Sequence, residues 1–315
     1  MSVRFIHKIS AILLAAGLLS CGREDSCILG SPDAISLGPG LETRAAITGT
    51  TMPDGFHIWL SAWYSDESNP SLDRNYFTGT EFSKDGSVWK ASPAKYWPLA
   101  GTLEFLGIAA DPGELALGFT WDAGHNTSRV TVSVPDTYDT QSEVLFAAAY
   151  PLEGERAPVP MDYRHSQALV RFQVRADVTD VIRIKEIRLR DVYTEGVLTV
   201  EGNGPLKASW DFSSATACDR TVPKSSAGYL MDVPGGYTDF CEGILLPEQP
   251  KASFDVIFLQ RANISVPWDS PMVLEETFSY FDPVRNWAMG KQYIYKIDFS
   301  LTGISVSPDV QDGFI

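Results

Sequence analysis

The sequence contains few of the residues that catalytic and metal sites most often use. It has only 4 histidines and 4 cysteines in 315 residues, and none of them stands at a spacing typical of zinc sites. The nucleophile-elbow, P-loop and dinucleotide-binding glycine patterns are also missing. Carboxylates are numerous, but nothing singles out a glycosidase-like pair. The sequence therefore predicts no catalytic residue, no cofactor and no metal site.

Positive charge is scarce as well. The chain has 25 Lys and Arg residues against 40 Asp and Glu residues, which gives a formal net charge of −15. No basic cluster is dense enough to meet a phosphate backbone, so a nucleic-acid partner is not expected. Hydrophobic residues make up 44% of the chain, which is typical of a folded protein rather than a disordered one.

The one long apolar run lies at the N-terminus, over residues 9–19. It has the length of a signal peptide and is too short to cross a bilayer as a helix. Because Leu18-Leu19-Ser20-Cys21 resembles a bacterial lipobox, we interpret residues 1–20 as a lipoprotein signal peptide and Cys21 as the lipidated residue. The charged stretch Arg23-Glu24-Asp25 is similar to signals for the outer face of the outer membrane. An ordinary signal peptide followed by a free or paired cysteine is the alternative.

Cys218 and Cys241 lie close enough in sequence to pair. An exported chain meets an oxidising environment, where disulfides form and persist. The sequence leaves both a Cys218–Cys241 disulfide and two free thiols open.

Two-residue alternation recurs along the rest of the chain, which is the pattern of half-buried β-strands. Val170, Phe172 and Val174 share one face of one such segment. In a later segment the alternation slips at Lys185-Glu186, which predicts a bulge or bend. Turn signals rich in Gly and Pro separate these segments, and no long apolar repeat at helical spacing follows residue 21. We therefore predict an all-β fold.

A single sandwich rarely uses so long a chain, so the sequence favours two tandem, Greek-key-like β-sandwich domains. The stretch 150–160 is rich in proline and charge and is the best candidate boundary. We expect an N-terminal sandwich over 45–155 and a C-terminal sandwich over 156–315.

Several aromatic and histidine side chains have two interpretations. Trp59 and Trp63 are candidates for a sugar-binding platform, although packing on the inner face of a sandwich is the more ordinary role. His57 falls in an apolar strand and His165 precedes another, so both are expected to be structural.

A set of short motifs, taken in order, resembles the fimbrillin family of type V pilus subunits and their relatives. The motifs are Glu42-Thr43-Arg44-Ala45-Ala46-Ile47, Trp89-Lys90-Ala91-Ser92-Pro93, Tyr96-Trp97-Pro98, Leu103-Glu104-Phe105, Met161-Asp162-Tyr163-Arg164-His165, Ile187-Arg188-Leu189, Leu245-Leu246-Pro247 and Trp287-Ala288-Met289-Gly290-Lys291. They cover nearly the whole mature chain. The tail departs from the family pattern, because Phe314 stands where a Trp is expected.

The resemblance implies a structural subunit or adhesin that assembles by strand exchange with other pilus subunits. Residues 21–44 would be a lipidated leader whose strand fills a groove in the first domain until an arginine-specific protease cuts between Arg44 and Ala45. The outer membrane would hold the chain before maturation, and host surface ligands are further candidate partners. The alternatives are a solvated loop arginine at Arg44, and a surface lipoprotein that binds glycans or host ligands without polymerising.

The tail Gly303–Ile315 is the predicted donor strand. Ile304, Val306 and Val310 share one parity and would fill pockets of a neighbouring groove. A last strand that stays paired within its own domain is the alternative.

Overall fold

The computed structural model describes residues 30–38, 52, 55–110, 118–122, 127–134, 141, 143–153, 158–202, 205–222, 231–241 and 243–312. These residues form strands, turns and one short 3-10 turn at Pro70–Leu72, with no α-helix among them. None of the described segments is a helix long and apolar enough to cross a membrane. The all-β prediction is confirmed.

The strands follow one another in close succession along the chain. They are β1 (Gly30–Ala34), β2 (Ser36–Leu37), β3 (His57–Ser65), β4 (Arg74–Asp85), β5 (Val88–Ala91), β6 (Tyr96–Pro98), β7 (Thr102–Ala110), β8 (Gly118–Asp122), β9 (Thr127–Ser133), β10 (Val144–Glu153), β11 (Arg164–His165), β12 (Ala168–Ala176), β13 (Ile182–Val192), β14 (Glu195–Glu201), β15 (Lys207–Asp211), β16 (Cys218–Thr221), β17 (Met231–Asp232), β18 (Thr238–Asp239), β19 (Ile244–Leu246), β20 (Ala252–Gln260), β21 (Leu274–Asp282), β22 (Lys291–Ser300) and β23 (Gly303–Asp312).

A seven-stranded sheet in the order β11-β10-β7-β3-β4-β5-β2 is built from strands of the first half of the chain, except β11, which comes after residue 155. One face packs into a core rich in aromatic residues, where Trp97 meets Phe105 edge-on at 5.6 Å. The other face packs under a four-stranded sheet in the order β15-β14-β9-β8. Gly79 lets Trp121 of β8 approach β4, because a Cβ at Gly79 would lie only 2.5 Å from the indole nitrogen.

The second half contains two five-stranded sheets that enclose one core. One has the order β18-β12-β22-β23, with β19 also paired to β12, and the other has the order β16-β13-β20-β21, with β17 also paired to β13. Phe172 packs edge-on against Phe254 of the facing sheet at 4.9 Å, and the Trp287 indole donates a hydrogen bond to the Tyr295 hydroxyl. Aromatic pairs of this geometry stabilise a core beyond the area they bury.

The four-stranded sheet joins the two halves of the chain. Strand β9 comes before the predicted boundary at 155 and β14 comes after it, yet the two pair over seven residues from Glu195↔Ser133 to Glu201↔Thr127. Hydrogen bonding therefore crosses the boundary, and the division into 45–155 and 156–315 stays a prediction.

Candidate functional site

Residues 30–38, which belong to the expected leader, lie in a groove of the seven-stranded half. Strand β1 pairs with β6, and β2 pairs with β5 at the edge of the sheet, where Ser36 meets Lys90 and Leu37 meets Trp89. Leu37 also forms a parallel bridge with Val159. The leader therefore contacts the domain through strands on both sides.

Backbone hydrogen bonds hold this segment between two walls. The Ile35 N–H donates to the Lys95 carbonyl at 2.7 Å on one side. On the other side the Val159 N–H donates to the Ser36 carbonyl at 2.8 Å, and the Gly38 N–H donates to the Val159 carbonyl at 3.2 Å. Groups buried in this way need a partner, because an unpaired backbone donor or acceptor costs about 1–3 kcal/mol.

Two leader side chains enter the core. Ile35 and Leu37 are each only 1% exposed and belong to the same cluster as Trp89, Trp97 and Val159. Ser36, which lies between them, is half-buried. This inward pattern of alternate residues is that of a strand seated in a groove.

The predicted lipidation and maturation residues Cys21, Arg44 and Ala45 lie outside the described residues. They flank the seated segment in sequence, with Cys21 before it and Arg44 after it. The groove itself was expected only from the family resemblance, and the apolar spacing of Ile35 and Leu37 is the local signal that marks its occupant.

The predicted donor strand is paired within its own domain in this structure. β23 lies antiparallel to β22 along its full length, from Ser300↔Gly303 to Lys291↔Asp312. Ile304 and Val306 are half-buried against the core of the C-terminal half. Val310 is 42% exposed near the end of the strand. The donor role of the tail stays a prediction.

The possible disulfide is not made in the structure. Cys218 is an exposed thiol on β16, whereas Cys241 is a buried thiol that follows β18 in the other five-stranded sheet. Burial raises the pKa of the Cys241 thiol to about 12, so it behaves as a small apolar side chain of the core. The structure therefore has two free thiols, which is one of the two alternatives that the sequence left open.

Trp59, Trp63, His57 and His165 all lie in strands. Trp59 packs against the core below the four-stranded sheet, and Trp63 is half-buried. His57 pairs with Glu81 at 2.5 Å on a partly exposed surface. His165 is buried and hydrogen-bonds to Glu143. In the described part of the chain, no three His, Cys, Asp or Glu side chains come together as a metal site.

Sequence reasoning missed one cavity, of about 580 Å³, where the halves of the chain meet. Its walls include Asp162–His165, Met289–Lys291 and Asp312. The first two stretches belong to the motifs quoted above, and Asp312 ends β23. The sequence motifs therefore contain most of the cavity's wall residues. Their arrangement around one cavity depends on contacts between segments that are far apart in the chain, which local sequence does not predict.

The described residues form an all-β protein of several sheets, in which residues 30–38 are seated between segments of the first half. A family model described as fimbrillin-like matches residues 43–312, so the chain belongs to the fimbrillin-like family. Membership indicates a pilus- or adhesin-like role at the cell surface. No curated protein matches the sequence.

Solved structures share this fold. A fimbrial protein from Bacteroides vulgatus superposes with a TM-score of 0.61 at 11% identity, covering 89% of this chain and 99% of its own. A candidate cell adhesion protein from Bacteroides uniformis has a TM-score of 0.51 at 15% identity, covering 89% of this chain and 98% of its own. Identities this low show a common architecture.

Proposed function

We propose that the chain is a structural subunit or adhesin of a type V pilus, exported as a lipoprotein and assembled by protease-triggered strand exchange. The observation that carries the proposal is the seated leader, residues 30–38, which fills a groove and precedes Arg44. Cys21 would hold the unprocessed chain at the outer membrane, and fatty-acid labelling that Cys21→Ala abolishes is the check on that step.

Cleavage after Arg44 would turn the leader into a separate peptide. Its departure would leave the Lys95 carbonyl and both backbone groups of Val159 without the partners they have in the structure. It would also uncover the sites of Ile35 and Leu37, each of which contributes roughly 1.5–3 kcal/mol by burial. The empty groove would then favour any strand that restores these contacts.

The tail of a neighbouring subunit has the right pattern for that groove. Ile304 and Val306 are separated by one residue, as Ile35 and Leu37 are. Both pairs place two aliphatic side chains on one face of an extended chain. A tail that leaves its own domain can therefore present a similar pair of side chains to the groove.

The test is to replace Arg44 by Ala in the full chain. We expect Arg44→Ala to keep the leader, to remain at the cell surface and to form no polymers, because the groove stays filled. N-terminal sequencing and ladders on mild gels measure the two effects. Arg23→Ala is the matched control, because it removes a leader arginine away from the proposed cut and should leave maturation unchanged.

Two results would oppose the proposal. Polymers formed by Arg44→Ala protein that keeps its leader would show that assembly does not need the groove to be vacated. Parent protein that keeps residues 21–44 in cells with an active arginine-specific protease would instead favour a surface lipoprotein that binds glycans or host ligands and never polymerises.

A further inference from the structure

Strand β21 is a long, free edge of the C-terminal half. It pairs with β20 without a register shift, from Ala252↔Asp282 to Gln260↔Leu274. In the described part of the chain no strand pairs with its other side. Free edges of this kind are templates for pairing with another chain.

The side of β21 to which each backbone N–H and C=O group points follows from the hydrogen bonds of the adjacent strand β20. The Ala252 N–H donates to the Arg285 carbonyl, on the β21 side, and the Arg261 N–H donates to the Val181 carbonyl, on the β13 side. Hydrogen-bonding direction alternates along an antiparallel strand. Four residues of β21 therefore direct their N–H and C=O groups outward: Glu275, Thr277, Ser279 and Phe281.

The other sheet edges are protected. The terminal strands β2, β11 and β18 have two residues each, and β8 and β15 have five. β23 is long, but it contains Pro308, which removes a donor from that edge. β21 has nine residues and no proline. It is thus the longest proline-free edge strand among the described residues.

We propose that β21 pairs antiparallel with β21 of a second copy of this chain, about a two-fold axis at Phe278. In this register Thr277 lies opposite Ser279 of the second copy, and Glu275 lies opposite Phe281 of the second copy. All four outward-directed residues of each copy then exchange both backbone hydrogen bonds. The same patch serves both copies, as an isologous interface requires.

The charges of β21 fit this register. The strand carries Glu275, Glu276 and Asp282, and like charges directly opposite each other destabilise a ladder. The register centred on Phe278 places Glu276 opposite Tyr280, and Asp282 opposite Leu274. A shift that centres the pair on Ser279 would instead set Glu276 against Asp282. The acids therefore disfavour that shift, and the register centred on Phe278 pairs the full length of the strand without setting two acids against each other.

The pairing also covers apolar surface at this edge. Phe278 and Tyr280 are only half-buried against the core, and Phe281 is 58% exposed. A contact of this kind is independent of strand exchange, because β21 belongs neither to the leader groove nor to the tail. It would join neighbouring subunits side by side.

The net charge of −15 opposes self-association, so the pairing should strengthen as salt screens the repulsion. Sedimentation velocity of the purified protein should show the weight-average mass rising toward twice that of the monomer with concentration, and rising further with salt. Thr277→Pro should abolish the rise, since it blocks an outward N–H that β20 does not use. Thr277→Ser keeps that N–H and is the matched control.

Disulfide trapping tests the register without depending on the fold of the proline variant. Residues in a hydrogen-bonded antiparallel pair lie about 5.5 Å apart at Cα, within reach of a disulfide. With Cys27→Ser and Cys218→Ser in every sample, Thr277→Cys protein mixed with Ser279→Cys protein should form covalent dimers, and neither should do so alone. Any one of three results would overturn the inference. They are a parent protein that stays monomeric at every salt concentration, a Thr277→Pro protein that still dimerises, and covalent dimers that form equally well without mixing.

Discussion

Glu143 and His165 form a buried, hydrogen-bonded pair between the start of β10 and the short strand β11. Each side chain is 5% exposed, and the His165 ring hydrogen-bonds to one carboxylate oxygen of Glu143. Among the described residues, the other oxygen, Oε2, has no hydrogen-bond partner. Burial raises the pKa of Glu143 above its usual range, and His165 offsets only part of this effect.

The raised pKa gives a prediction about stability and pH. The native state holds the Glu143 proton more tightly than the unfolded chain does, so this group stabilises the fold below its unfolded pKa of about 4.3 and less as pH rises. Glu143→Gln should therefore gain stability relative to the parent as pH rises from 4 to 7. Melting temperature against pH measures the difference. Glu67→Gln, at an exposed position, is the matched control, and its melting temperature should change with pH as that of the parent does. The same parallel curve from Glu143→Gln would contradict the prediction.

The sequence predicted only half of this pair. His165 was expected to be a structural histidine, and its burial agrees with that interpretation. Its partner lies 22 residues earlier in the chain, outside any local motif. Local pattern therefore predicted the role of the histidine, whereas the identity of its partner depends on how β10 and β11 pair.

At the scale of elements, β23 is held by many weak contacts. Besides its ladder with β22, it has ion pairs from Lys291 to Asp312 and from Lys296 to Asp309, and a hydrogen bond from Gln292 to Gln311. Exposed ion pairs of this kind contribute about 0–1 kcal/mol each. The tail therefore lies at an edge from which it can separate without opening the centre of the sheet.

Deleting residues 304–315 tests the donor role of that strand. The shortened chain should still fold, because β22 keeps its parallel ladder with β12 from Leu169↔Gln292 to Ala176↔Phe299. It should be less stable than the parent, since Ile304 and Val306 no longer cover the core. It should still lose its leader but form no polymers on mild gels. Deleting only 313–315 leaves β23 intact and is the matched control for chain shortening. Normal polymers from the longer deletion would assign the donor role elsewhere.

Strands were easier to predict from sequence than their partners. The slip at Lys185-Glu186 is a register shift between β13 and β20, as predicted. The alternating Val170, Phe172 and Val174 are buried in β12. The parallel pairing of β12 with β22 leaves no local signal, because it joins segments that are far apart in the chain. Val310 is 42% exposed near the end of β23, which is an edge strand among the described residues.

At the scale of the whole molecule, the shared four-stranded sheet makes the two halves interdependent. Its strand β14 comes from the second half, and Leu198 and Val200 of that strand are fully buried. They share a core with Leu106 and Ile108 of β7 and Val144 of β10, all from the first half. A side chain of one half therefore stabilises strands of the other.

Replacing Leu198 by Ala should weaken the first half of the chain although the change lies in the second. A buried Leu→Ala substitution costs about 2–5 kcal/mol, because it leaves a cavity that the surroundings fill only in part. Here the cavity opens against β7 and β10, so amide hydrogen exchange should speed up in those strands as well as in β14. Thr199→Ala is the matched control, since Thr199 lies next to Leu198 on the opposite, half-buried face. Faster exchange confined to residues after 155 would mean that the halves fold independently despite the ladder between β9 and β14.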